Sequence, residues 1–63
     1  MGKSFGQIAY EEYRAAAGGV SLATGAPLPG WDALRMEIQS GWERAAAAAV
    51  EAARRRRLTG GPA

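Results

Sequence analysis

The stretch WDALRMEIQSGWERAAAAAVEAARRRR, residues 31–57, decides the fold. Trp31, Leu34, Ile38, Trp42, Ala45, Ala49 and Ala52 recur at steps of three and four, the period of a helix with one apolar face. Glu37, Ser40, Arg44, Glu51 and Arg55 take the opposite side. The alanine run 45–49 has the highest intrinsic helix propensity available. Glu51 and Arg55 stand four apart in the favourable order, and arginines 54–57 suit the negative end of the helix dipole. Pro29-Gly30 breaks whatever precedes, and Asp32 is placed to cap the first turn. These signals predict a helix over about 32–57.

Working outward, residues 4–17 (SFGQIAYEEYRAAA) predict a shorter helix. Ser4 and Gln7 have capping-box spacing, and Gly18-Gly19 supplies the positive φ angles that commonly end a helix. At 100° per residue Phe5, Ile8, Ala9, Tyr13 and Ala16 share one side. Gln7, Glu11 and Arg14 face away, Tyr10 sits on the flank, and Gly6 weakens the first turn. Between the helices, residues 18–30 (GGVSLATGAPLPG) carry four glycines and two prolines. Val20, Leu22 and Leu28 are too apolar for a free linker and are expected to fold back under the helices in an ordered connector, with a short extended piece at Val20–Leu22. The tail 58–63 is expected to fray.

The fold class that follows is all-α: a two-helix hairpin with unequal arms in a single domain. The arms span about 21 Å and roughly 33–40 Å at 1.5 Å per residue, so part of the longer one lacks an intrachain partner. The core is expected from Phe5, Ile8, Tyr13, Leu28, Trp31, Leu34, Ile38 and Trp42. Trp31 and Trp42, eleven residues apart, would lie on one buried face.

Composition bounds the chemistry. The chain has 63 residues, no cysteine, no histidine and a net charge of +2, and 15 of its 30 hydrophobic residues are alanine. Without thiol or imidazole, Ser-His and Cys-His catalysis are excluded, and so is an ordinary zinc site. The carboxylates Glu11, Glu12, Asp32, Glu37, Glu43 and Glu51 remain, but so short a chain can hardly wall off a pocket for a catalytic pair. The protein is therefore read as non-enzymatic, with no cofactor, no metal and no small-molecule substrate. Gly18-Gly19 and Gly25 do not make a phosphate loop, since no Gly-Lys-Ser/Thr follows. No apolar run is long enough to span a membrane and no apolar signal core is present, so the expectation is a cytoplasmic protein.

Two surfaces remain as binding candidates. Ala45, Ala49, Ala52 and Ala53 form a small, smooth stripe suited to a protein partner or a homo-oligomer. Arg54, Arg55, Arg56 and Arg57 carry the whole positive balance, because residues 1–53 hold four basic and six acidic side chains, net −2. Guanidinium groups suit phosphate contacts. Four consecutive residues point in four directions around a helix, however, and no aromatic side chain is interleaved, so nucleic-acid binding through them is the weaker alternative.

Tyr10-Glu-Glu-Tyr13, the connector Gly18-Gly-Val-Ser-Leu-Ala-Thr-Gly-Ala-Pro-Leu-Pro29, and the helix with Trp31, Leu34, Ile38, Trp42 and Ala45-Ala46 together resemble small uncharacterised bacteriophage proteins, especially those of GC-rich actinobacterial hosts. The resemblance spans about residues 9–50. It implies a tyrosine-bearing helix, a GG-x-SL-x-TG-x-x-LP connector and a second helix in which paired alanines follow the tryptophan. It implies no activity and transfers no functional residue. It fits a small accessory protein inside a bacterial host cell or in a virion, and the undersized core with its unpaired apolar stripe implies that this protein acts by protein–protein contact. Such relatives are expected to carry a proline near position 35, where this chain has Arg35. That leaves open whether Trp31–Leu34 is a separate turn or the start of the long helix.

Overall fold

A computed structural model describes residues 2–58 and contains helix α1 (Phe5–Ala16), a single 3-10 turn (Trp31–Ala33) and helix α2 (Met36–Leu58). The two α-helices pack on each other as an all-α hairpin with the 3-10 turn lying against α1. At 1.5 Å per residue the 12 residues of α1 and the 23 of α2 measure about 18 Å and 35 Å. Leu58, expected to begin the frayed tail, ends α2, and the rest of that tail, 59–63, lies outside the described residues.

The ends of α1 form as their residue types dictate. Ser4 Oγ accepts the Gln7 N–H at 3.1 Å, but only this half of the capping box is made. The Gln7 amide donates instead to Glu11 at 3.0 Å. At the other end Gly19 N–H reaches the Arg14 carbonyl at 2.9 Å and Gly18 N–H the Ala15 carbonyl at 3.1 Å, a Schellman closure with φ angles of 72° and 81° at the two glycines.

The connector is ordered. Val20 and Pro27 form an isolated antiparallel bridge, flanked by bonds from Ser21 N–H to Ala26 O at 2.7 Å and from Leu28 N–H to Gly19 O at 2.9 Å. Ser21 Oγ accepts from the Ala23 and Thr24 amides and closes the tip. Leu28 is half-buried, but Val20 is exposed and Leu22 is 78% exposed, against the expectation that both fold under the helices. The turn that the bridge closes points the Leu22 tip outward.

Trp31–Leu34 is a separate turn, so Asp32 does not cap α2, and the long helix begins at Met36 instead of 32. Leu34 is extended at φ −73°, ψ 145°, which interrupts the helical path. The interruption frees Trp31 to fold onto α1, and the Gln39 side chain secures it by donating to the Trp31 carbonyl at 2.8 Å. Trp31 and Leu34 therefore leave the stripe of α2, although both remain half-buried.

The helices meet through faces rotated from those expected. Tyr10, read as a flank residue, is the centre of the core at 2% exposure, and Gly6 and Ala46 are the other buried positions among the described residues. Phe5 at 61%, Ile8 at 50% and Ile38 at 43% are exposed, and so is Tyr13, although all four were expected in the core. Of the remaining core candidates, Leu28 and Trp42 are, like Trp31 and Leu34, half-buried. Gln7 and Glu11 are half-buried and do not face away, and the Arg14 Nε–H donates to the Leu28 carbonyl at 3.0 Å.

Three contacts explain the rotation. The Tyr10 hydroxyl donates to the Pro29 carbonyl at 2.6 Å, satisfying a phenol that burial would otherwise penalise. Arg14 does the same for the neighbouring Leu28 carbonyl. Gly6 lets the backbones approach: a Cβ there would stand 2.8 Å from the Glu43 Cα and 2.5 Å from its Cδ. Seating the Phe5–Ile8 side in the seam would forfeit all three.

Candidate interaction surface

The seam is a cluster of four aromatic rings held at one end by a carboxylate. Tyr10 lies 5.5 Å from Trp42 in an edge-on arrangement at 71°, and 6.0 Å from Trp31. Tyr13 packs on Trp42 at 5.4 Å. Edge-on and tilted pairs at these separations are the favoured geometries for ring quadrupoles.

Glu43 was recognised in the sequence only as one carboxylate among six, and it joins the helices. It accepts the Gly6 N–H at 2.9 Å and the Ser4 hydroxyl, placing its negative charge where the first turn of α1 has orphan donors and a positive dipole end. The local signal was weak: Glu43 has no basic residue three or four positions away on its own helix, but neither has Glu12 or Glu37. On the same side Lys3 pairs with Glu11 at 2.6 Å. The hydrogen bond from Lys3, and then that from Gln7, hold the Glu11 carboxyl below its ordinary value.

With the connector and the 3-10 turn tied to the side of α1 that carries Arg14, the other side of the hairpin stays open. There Ile38, Gly41, Trp42 and Ala45 line a shallow groove on α2, bordered by Tyr13 through its contact with Trp42. A Cβ at Gly41 would meet nothing within 4 Å. By helical position Ala9, Ala16 and Phe5 continue the same side on α1, and Ala49 and Ala52 continue it along α2. Of the residues expected to pack against each other, Tyr13, Ile38 and Trp42 thus meet at this open side.

The structure places all four alanine candidates, Ala45, Ala49, Ala52 and Ala53, in solvent. The buried alanine is their neighbour Ala46. The stretch 51–57 is exposed throughout, and half-buried Val50 precedes it. The expected i,i+4 pair is present, with Arg55 Nε 3.9 Å from Glu51, and Arg54–Arg57 wind around the last turns without converging on one point. Among the described residues no three metal-ligating side chains come together, and no helix is long and apolar enough to cross a membrane.

Fold and surface thus define an all-α hairpin with an aromatic seam and one uncovered apolar side. Set against known proteins, the chain matches no family model, no curated protein and no solved structure.

Proposed function

We propose that this protein acts by protein–protein contact through the open side of its hairpin, without catalysis. The observation that carries this reading is the exposure of Tyr13 and Ile38 at the groove that half-buried Trp42 lines, in a chain with few large apolar side chains. Large apolar side chains exposed together around a groove on a small protein point to an interaction site. The resemblance to small actinobacteriophage proteins supports a role as an accessory factor, binding a host or defence component or fitting into a virion. Nucleic-acid binding through Arg54–Arg57 is the lesser reading, because the four guanidinium groups fan around a helix end and cannot align on successive base edges.

The test is capture from an actinobacterial host lysate by the immobilised chain, alongside an Ile38→Asp variant. Wild type is expected to retain a discrete protein that the variant loses. In parallel, fluorescence anisotropy with unrelated DNA duplexes should show weak binding whose log affinity falls with log salt at a slope of about −3 to −4. Salt-resistant, sequence-selective binding lost in an Arg54–Arg57 to Gln variant would replace the protein-contact reading with nucleic-acid recognition.

A further inference from the structure

We infer that the occupant of the open face is a second copy of this chain, packed α2 against α2 in antiparallel orientation about a two-fold axis near Ala45. This rests on the protein-contact reading above and names its partner.

Surface area is the first argument. The chain exposes 5117 Å². A compact monomer of 6.6 kDa exposes about 3,900 Å² by the usual scaling of area with mass, an excess of roughly 1,200 Å². That total includes the chain ends, and a specific dimer needs only about half of the excess, about 600 Å² per chain. Two chains together would then bury about 1,200 Å², the lower bound for a specific interface.

Shape is the second. A two-fold axis at Ala45 sets Ala49 of one copy against Gly41 of the other, and Ala52 against Ile38. The groove lined by Ile38, Gly41, Trp42 and Ala45 is shallow and open above Gly41, so a helix edge built of alanine can approach it closely. The part of α2 that α1 is too short to cover becomes the cover for the partner's exposed Ile38 and Tyr13. A two-fold axis makes this exchange reciprocal, which closes the assembly at two chains.

Charge fixes the direction. The turn before α2 and its first turn carry Asp32 and Glu37 against Arg35, net −1, whereas its end carries Arg54–Arg57, net +4. Parallel packing would crowd eight arginines together at one end. Antiparallel packing sets each arginine end beside the acidic end of the other copy, and like charges in register are the penalty it avoids.

Sedimentation of the full chain over a micromolar concentration series tests the inference. Wild type is expected to pass reversibly from monomer to dimer. Ala45→Glu faces its own symmetry mate and should weaken the dimer by about a hundredfold or more, since it buries an unpaired carboxylate. Because Ala45 is exposed in the single hairpin, the helicity of the dilute variant should match wild type. The chain has no cysteine, so Ile38→Cys mixed with Ala52→Cys reads direction directly. A short thiol cross-linker should join the mixed pair and neither variant to itself. A wild-type monomer at every concentration, a dimer indifferent to Ala45→Glu, or an Ile38→Cys self-cross-link would each overturn the inference. A monomer that still captures a different protein through Ile38 would overturn the second copy and keep the protein-contact reading. A monomer that captures nothing would overturn both.

Discussion

The first and second halves of α2 are equally helical for opposite reasons. Residues 36–46 include Ile38, Ser40, Gly41 and Trp42, all poor to middling helix formers, yet Gln39, Trp42, Glu43 and Ala46 hold them against Trp31, Tyr10, the first turn of α1 and the seam. Residues 47–57 are alanine, glutamate and arginine around a single valine, strong helix formers that α1 is too short to cover. The first half is helical because tertiary contacts demand it. The second is helical because its residues prefer it, and isolated helices of such length are marginal in water. Losing a seam contact should therefore unfold the hairpin, and altering the overhang should only loosen it locally.

The largest expected effect is at the centre of the seam. Tyr10→Ala removes a ring with three aromatic neighbours and a buried hydroxyl bond, and such changes cost about 3–5 kcal/mol, comparable to the stability of a domain this small. Circular dichroism should show loss of cooperative melting. Tyr10→Phe, which keeps the ring, should cost only about 1 kcal/mol. A Tyr10→Ala melt equal to wild type would mean that the seam is not what holds residues 36–46.

Next comes Gly6→Ala, where propensity and packing oppose each other. Alanine favours the helix by about 1 kcal/mol, but its methyl would meet Glu43 backbone at 2.8 Å, and overpacking typically costs 1–3 kcal/mol. A net fall in melting temperature is expected. A rise would show that the close approach at Gly6 can relax freely.

In the overhang the same exchange runs in reverse. Ala48→Gly, at an exposed position, should cost about 1 kcal/mol of local helix propensity. Hydrogen exchange in dilute monomer should quicken at residues 47–57 and stay unchanged at 36–46. Equal quickening in both halves would contradict the division.

The smallest effect is electrostatic. The Glu11 carboxyl sits below its ordinary value of 4.5, chiefly through Lys3. A group whose value is lowered on folding contributes stability that is present above the unfolded value and is lost as pH falls through the folded one. Acidification below 4.5 should thus release the Lys3–Glu11 contact, readable as a shift in the Lys3 side-chain NMR signals. Glu11→Gln, which keeps the Lys3 reporter, should abolish that shift with little change in melting, because exposed pairs contribute little.

Much of this was legible in the residues and some was not. The helix pair, the glycine closure of α1, the cap at Ser4 and the pairing of Glu51 with Arg55 follow from local rules, and each was readable. The seam was not, because periodicity ranks faces by apolarity, and here the more apolar faces lost. Phe5 and Ile8 outrank Gly6 and Tyr10 on any hydropathy scale. That scale has no term for the close approach that glycine permits, or for a phenol whose acceptor lies 19 residues away. The same blindness hid Glu43, whose partners are 37 and 39 positions distant.

By itself, then, the sequence determined that two helices of unequal length form, where the first one stops, and that cysteine, histidine and the chemistry they support are absent. These depend on residue type, backbone preference and neighbours within a few positions. Only the tertiary structure decided that Trp31 leaves the long helix to cover Tyr10, that Glu43 caps a helix other than its own, and that Ile38 and Ala45 lie open beside Tyr13. Each depends on groups far apart in the chain, whose hydrogen bonds and steric limits can be weighed only once the helices are set together.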